Sequence, residues 1–299
     1  MSLPQTEART DGHTPIDRLD GPAALTRMID VQIASLTSLR AALPALDAAA
    51  TLIAETLRGT EIETGRLVYV AAGSSGLMAL ADAAELPGTF GIDPDRIVIR
   101  MAGGIPASAA MPGDTEDLTD TALPLRPGDL LIALSASGST PWAVDAATRA
   151  RAAEIPVIAI ANNPDTPLLQ AATVAICLPT PPEVLAGSTR MGAGTAQKAA
   201  LNMISTLAGV RLGHVHDGMM VNLRADNAKL RGRAMRIVAR IAGVSDAVAT
   251  QALNAAKNDT KTACLIAAGA DPAQAATLLT AHHGHLRPAL ATLQNQNPR

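Results

Sequence analysis

The chain has 299 residues, of which 48% are hydrophobic and only 1% aromatic, and its formal net charge is −3 at pH 7. This length suffices for one large α/β domain with appendages or for two domains, with a core built mainly from aliphatic side chains and Met. Because the chain carries no basic excess, the charge argues against nucleic acid as a partner.

The cysteines and the hydropathy pattern bear on the cellular compartment. Cys177 and Cys264 stand alone among apolar neighbours, a pattern typical of a reducing environment. No apolar run reaches the roughly 18 residues of a membrane span, and the polar amino terminus is not typical of a signal peptide. We therefore expect a cytoplasmic protein that does not contact a membrane.

The first 58 residues divide into two parts. Residues 1–20 are polar and contain Gly12 and Pro15, which predicts an extended arm. Over residues 21–58 apolar side chains recur at helical spacing, which predicts two helices.

Five short apolar runs follow, at residues 67–72, 97–99, 130–134, 157–161 and 174–178, and helical stretches alternate with them. This alternation indicates an α/β fold with a parallel sheet flanked by helices on both faces. Beyond Arg236 three short helices are predicted, at 244–258, 259–269 and 272–282. We therefore predict an amino-terminal arm with helices over 1–58, a sheet domain over 59–235 and a small helical cap over 236–299.

Two of the predicted strands end in turns rich in Ser and Gly. Glycine leaves room for a ligand to approach the backbone, and the hydroxyls add hydrogen-bond donors. Either turn alone could simply cap the helix that follows, but two at equivalent places in one sheet favour an anion site. Neither turn is a Walker loop or a GxGxxG fingerprint, so no nucleotide cofactor is expected. The residues concerned are Gly73, Ser74, Ser75, Ser135, Ser137 and Thr140.

Residues 183–198 combine three glycines, several hydroxyls, Arg190 and Lys198 just before an apolar helical run. Small residues at a helix start let backbone N–H groups approach an anion, and the two cations would add charge. The same stretch could also be an ordinary capped helix.

The amino-acid sequence of this stretch resembles the signature of the N-acetylmuramic acid 6-phosphate etherases, a branch of the SIS (sugar isomerase) family. Further matches are Thr6-Glu7 in the arm and the Asn258-x-x-Lys261 segment. The resemblance implies an SIS-type sheet over 59–235 whose serine turns bind the phosphate of a phosphosugar. The implied binding residues are Gly73, Ser74, Ser75, Ser135, Ser137, Thr140, Ser188, Thr189, Arg190, Lys198 and Lys261. A lone lysine such as Lys261 is, without the family, usually an exposed side chain.

Two glutamates match the family's catalytic motifs. Glu85 lies in the pattern Asp-Ala-x-Glu-x-Pro-x-Thr, and Glu116 precedes Asp117 after the second strand. Taken alone, each would be a solvated surface residue. The resemblance implies that Glu85 is the general acid and Glu116 the general base.

The resemblance implies a homodimeric lyase that releases D-lactate from N-acetylmuramic acid 6-phosphate without a metal or cofactor. Two alternatives remain open, a phosphosugar isomerase and a non-catalytic phosphosugar-binding regulator. Leu77, Ser139 and Gly192 stand where the family usually has cations, so the exact substrate remains open as well. The histidines of 282–285 lack accompanying Cys or carboxylate ligands, so we expect no metal site. His214 follows a helix end, where His is often a cation.

Overall fold

The computed structural model describes residues 4–9, 14–58, 65–111, 113–119, 123–223, 225 and 227–296. Its helices are α1 Gly21–Thr37, α2 Leu43–Arg58, α3 Gly73–Ala83, α4 Leu86–Phe90, α5 Pro141–Ala152, α6 Pro167–Gln170, α7 Gly192–Arg211, α8 Ala228–Ala242, α9 Asp246–Ala255, α10 Thr260–Ala267, α11 Pro272–Ala281 and α12 Leu286–Gln296. Its strands are β1 Leu67–Ala71, β2 Ile97–Met101, β3 Leu130–Ser135, β4 Val157–Ala161, β5 Val174–Cys177, β6 Val215–His216 and β7 Met219–Met220. In the predicted arm, residues 1–3 and 10–13 lie outside the described residues.

The five predicted strands form one parallel sheet in the order β2-β1-β3-β4-β5, which confirms the predicted fold class. Every residue of β1, β3 and β4 is buried, as expected for strands covered on both faces. Helix α5 packs on one face, against a cluster that includes Val68 and Leu131. Helix α3 covers the opposite face. The side chain of Tyr69 points away from that cluster, and its hydroxyl donates a hydrogen bond to Asp82 of α3.

The chain changes direction across the sheet at β1, because it first moves to one side of this strand and then continues on the other. β2 lies on one side of β1 and β3 on the other, and Ala71 is level with both Met101 and Leu134. The turns that follow β1 and β3 therefore start side by side and lead to opposite faces. In open α/β sheets this reversal leaves a crevice at the carboxyl ends of the strands, where ligands bind.

The described residues fall into two compact units. The first lies within Met1–Ala83 and Asp95–Ser205 and holds the sheet, whereas the second lies within Ala84–Pro94 and Thr206–Arg299. The second unit has its own core, in which Ala263, Cys264 and Leu265 of α10 are fully buried. The boundaries predicted at 58/59 and 235/236 remain predictions.

The carboxyl-terminal segment contains the three predicted short helices and a fourth, α12. Polar side chains fix where these helices begin, because Ser245, Asp259 and Asp271 each accept a hydrogen bond from a first-turn N–H group. Among the described residues no single helix is long and apolar enough to cross a membrane. The bent pair Gly21–Arg40 and Leu43–Arg58, at 70°, meets that test only when taken together.

Candidate active site

The hydroxyl groups of the turn after β3 lie close together and form one hydrogen-bonded cluster. Ser135 Oγ lies 2.8 Å from Thr140 Oγ1 and 3.2 Å from Ser137 Oγ, and it accepts a hydrogen bond from the Gly138 N–H group. Gly138 has a φ of +73°, and a Cβ there would lie 2.4 Å from Thr166 Oγ1, so only glycine fits. Three of the predicted binding residues, Ser135, Ser137 and Thr140, are thus brought together at the start of α5.

The first glycine of the turn after β1 lies against a carboxylate from another loop. Gly73 begins α3 with a φ of +53°, and a Cβ at Gly73 would lie only 2.8 Å from Glu116 Oε1. The Glu116 backbone carbonyl accepts a hydrogen bond from the Trp142 N–H group of α5, at 3.1 Å. Glu116 is therefore held between the two serine turns. Ser75 is buried in the first turn of α3, and Ser74 is half-buried beside it.

Residues 183–198 form a loop and the start of α7. Glu183 is buried, and its carboxylate accepts hydrogen bonds from the N–H groups of Gly192 (2.9 Å) and Ala193 (2.8 Å). The anion at this helix start is therefore an internal carboxylate, as in an ordinary capped helix. The residue pattern did not predict this role for Glu183, and its only signal is an acid that follows Pro181-Pro182 shortly before small residues.

Ser188, Thr189 and Arg190 occupy the loop before α7. The loop is folded back on itself, because the Ser188 N–H group donates to Leu185 O and the Gly194 N–H group donates to Thr189 O. Ser188 and Thr189 are half-buried, and Arg190 is exposed.

Lys198 belongs to a polar network between α3 and α7. Its ammonium group donates to Asn202 Oδ1, and Asn202 Nδ2 donates to Asp82 at 2.8 Å. The buried Asp82 also accepts hydrogen bonds from Ser205 and Tyr69. Burial raises the pKa of Asp82, although these hydrogen bonds lower it. The structure thus ties Lys198 to Asp82, and its part in phosphate binding remains a prediction.

Lys261 lies on α10 in the second unit and is only 6% exposed. The usual interpretation of a lone lysine as an exposed side chain is therefore wrong here. Burial lowers the pKa of Lys261 to about 8, and the charge of Asp259 raises it. A Cβ at Gly284 would lie 3.5 Å from Lys261 Nζ, an ordinary van der Waals distance, so Gly284 lies directly beside the ammonium group.

His214, which lies near Lys261, was expected to be a cation, and the structure contradicts this expectation. Burial, together with the charge of Lys261, lowers the pKa of His214 to about 3, so this side chain is neutral at pH 7 rather than a cation. Nδ1 of His214 is buried without a hydrogen-bond partner. Within the part of the chain that the structure describes, no group of three or more His, Cys, Asp or Glu side chains is placed to hold a metal ion.

Glu85 stands at the N-cap position of α4, and its side chain makes no capping hydrogen bond. The side chain is exposed and belongs to the second unit, whereas Glu116 belongs to the first. The pairing of these two carboxylates remains a prediction.

Comparison with known proteins finds relatives that are similar in sequence and a solved structure that is similar in fold. The SIS domain family matches residues 106–207. The chain is 40% identical over 294 residues to the N-acetylmuramic acid 6-phosphate etherase of Yersinia pestis (strain Pestoides F), an alignment that covers 95% of this chain and 98% of that one. The etherase of Yersinia pseudotuberculosis serotype O:1b gives the same figures. The chain belongs to the N-acetylmuramic acid 6-phosphate etherase family.

The crystal structure of a candidate phosphosugar isomerase involved in capsule formation, from Bacteroides fragilis NCTC 9343, shares the fold. Its TM-score is 0.50 at 21% identity, and the match covers 65% of this chain and 94% of that one.

The structure gives a physical reason for one departure from the family pattern. Gly192 stands where the resemblance leads us to expect a lysine, and a Cβ at Gly192 would lie 2.7 Å from Ser35 Oγ and 3.3 Å from Glu183 Oε2. A side chain there would require Ser35 and Glu183 to shift. Leu77 on α3 is 37% exposed, and Ser139 Oγ donates to Ser137 Oγ at 3.1 Å. The structure offers no comparable reason for the loss of cations at these two positions.

Proposed function

We propose that this protein is a carbon–oxygen lyase that cleaves the D-lactyl ether of N-acetylmuramic acid 6-phosphate to give N-acetylglucosamine 6-phosphate and D-lactate. Family membership supports this activity. The structural observation that carries the proposal is the Glu116 carboxylate, which lies over Gly73 beside the two serine turns. A phosphosugar held in these turns would lie next to an acid–base group.

The proposed reaction is an elimination followed by an addition. In the open-chain sugar the aldehyde makes the C2 proton acidic, and Glu116 removes it as the general base. The C3–O bond then breaks, and lactate leaves with a proton supplied by Glu85. Water adds to the resulting C2–C3 double bond, with its hydroxyl at C3 and its proton at C2. One carboxylate must be ionised while the other keeps its proton, so the two need different surroundings.

The proposed phosphate site is formed by the serine turns, and in the second turn the hydroxyl groups already exchange hydrogen bonds with one another and with their own backbone. Phosphate oxygens can take over hydrogen bonds of this kind. Binding the phosphate would supply remote binding energy that positions the sugar for reaction. No nucleotide, metal or other cofactor takes part in this proposal. The proposed binding residues are Gly73, Ser74, Ser75, Ser135, Ser137, Thr140, Ser188, Thr189, Arg190, Lys198 and Lys261.

Incubating the purified protein with N-acetylmuramic acid 6-phosphate should release one D-lactate for each N-acetylglucosamine 6-phosphate formed, measured by coupled oxidation of D-lactate. The unphosphorylated sugar is the matched control, and it should react far more slowly because it lacks the phosphate. A ketose product without lactate would identify an isomerase instead. Binding without any turnover would identify a phosphosugar-binding regulator.

We further propose that the protein is a cytoplasmic homodimer in which α1 forms part of the interface. Leu25, Ile29, Ile33 and Leu36 line one side of α1 and are between 42% and 61% exposed. The helix packs on the rest of the chain through another side, on which Ser35 is fully buried, and Gln32 beside the stripe accepts a hydrogen bond from Thr195 Oγ1. Four large apolar side chains exposed in one stripe are typical of a surface covered by another chain.

Replacing Ile29 by glutamate should convert the dimer into a monomer at micromolar concentration, because the charge would be buried without a partner. Sedimentation velocity measures the change. Val248→Glu is the control, since Val248 is also an exposed apolar side chain (41%) but lies outside the α1 stripe. An Ile29→Glu protein that sediments like the wild type would refute this interface.

A further inference from the structure

The amino-terminal arm is joined to the rest of the first unit by a buried threonine. Thr6 lies in a short 3-10 turn, Gln5–Glu7, and is only 1% exposed although its two neighbours face solvent. Its contacts with Asn163 are reciprocal. The Asn163 amide Nδ2 donates to Thr6 Oγ1 at 2.9 Å, and the Thr6 N–H group donates to Asn163 Oδ1 at 3.4 Å.

Asn163 also contacts the second serine turn. It follows β4, and its Nδ2 lies 3.2 Å from Ala136 O and 3.3 Å from Ser137 O. Two amide hydrogens thus serve three acceptors, of which the Thr6 hydroxyl is the nearest. Thr6 fixes which way the amide faces, and the amide in turn holds the backbone of the turn that carries Ser135 and Ser137.

The same arm residues contact the loop before α7. The Gly187 N–H group donates to Thr6 O at 3.1 Å, and a Cβ at Gly187 would lie 3.0 Å from Glu7 Oε2. Gly187 has a φ of +78°, so the loop reaches this close approach through a conformation that favours glycine. Ser188 and Thr189 follow directly. The arm therefore contacts two separate groups of proposed binding residues.

We propose that Thr6 is a positioning residue, which through Asn163 and Gly187 holds the second serine turn and the Ser188–Thr189 loop in the arrangement that binds the phosphate. Thr6 does not touch the substrate. This inference rests on the proposed function for the identity of the phosphosugar, but the phosphate site itself can be tested without turnover.

The experiment compares Thr6→Val, which removes the hydroxyl at nearly constant shape, with Thr6→Ser, which restores it. Loss of a neutral hydrogen bond corresponds to roughly a three- to ten-fold weakening of a coupled equilibrium. We therefore expect Thr6→Val to raise both the Kd for inorganic phosphate and the KM for the phosphosugar by about that factor, with kcat within about two-fold of wild type. Thr6→Ser should restore both values.

Thr148→Val is the matched control, because Thr148 Oγ1 only donates to the Val144 carbonyl of its own helix. Amide hydrogen exchange gives a second readout that needs only folded protein. The Gly138 and Ser139 N–H groups should exchange faster in Thr6→Val than in wild type or Thr148→Val. If Thr6→Val cannot be purified in folded form, Thr6→Ala removes the same hydroxyl and is measured instead.

A purely structural role for Thr6 would lower the thermal midpoint or the active fraction but leave the phosphate Kd, the KM and the exchange of the turn unchanged. That result would overturn the inference. If the wild type binds inorganic phosphate but releases no lactate, the proposed function fails, while the Kd and exchange comparisons still decide the role of Thr6.

Discussion

Replacing Glu116 by glutamine should lower the rate of lactate release by about 10²- to 10⁴-fold, the usual contribution of a positioned general base. Glutamine keeps the size of the side chain but cannot accept a proton. Glu116 Oε1 lies close to Gly73, and a glutamine of the same size would fill the same space. The packing of the first serine turn should therefore stay nearly intact. The phosphate Kd should therefore change little, and the loss should appear in kcat.

Exchange of the C2 proton with deuterium from the solvent separates the two carboxylates. Glu116→Gln should abolish this exchange, whereas Glu85→Gln should lose lactate release but retain some exchange. Asp114→Asn is the control, since Asp114 is an exposed carboxylate in the same loop. The reverse pattern would exchange the two roles, and full activity in both glutamine variants would reject the mechanism.

The sheet could be predicted because its strands carry continuous apolar runs that few other structures explain. The prediction was less complete in the second unit. The β6–β7 hairpin has only two residues in each strand, too few to produce an alternating pattern. Helix α12 was not predicted, because it combines polar residues with Pro288 in its first turn. Its three buried side chains, Leu286, Ala289 and Leu293, are recognisable as one face only once the helix is known.

The sequence also predicts that the two serine turns lie at the same edge of the sheet, because the carboxyl ends of parallel strands meet there. That β1 and β3 are neighbours is known only from the strand order. The approach of Glu116 to Gly73 could not be predicted from the sequence either. The 28 residues between β2 and β3 (102–129) carry no regular hydrophobic pattern, so local rules cannot place a side chain within them. The Thr6–Asn163 pair is separated by 157 positions and depends wholly on tertiary structure.

Burial of single charged groups is the feature that residue patterns predict least well. Lys261 and Glu183 look like ordinary surface residues in the sequence, yet both are nearly inaccessible. Glu183 is stabilised there by two backbone N–H groups, whereas burial makes the charge of Lys261 costly, as its lowered pKa indicates. A costly buried cation is typical of a functional group.

Replacing Glu183 by alanine should lower the free energy of unfolding by about 3 kcal/mol, because charge-assisted hydrogen bonds contribute roughly 1.5–3 kcal/mol each. The change would remove both bonds and leave the Gly192 and Ala193 N–H groups without an acceptor. At roughly 2–4 °C per kcal/mol for a chain of this size, the thermal midpoint should fall by about 6–12 °C.

Glu55→Ala is the control for Glu183→Ala, because Glu55 is an exposed glutamate within α2, where alanine is a good helix former. Its midpoint should change by no more than about 2 °C, since surface substitutions rarely exceed about 0.5 kcal/mol. The phosphate Kd should rise in Glu183→Ala at temperatures where it stays folded, because the loop with Ser188 and Thr189 ends at the helix start that Glu183 holds. If both alanine variants melt together, the Glu183 carboxylate does not stabilise this helix start, and the loop must be held by its other contacts, foremost the arm at Thr6.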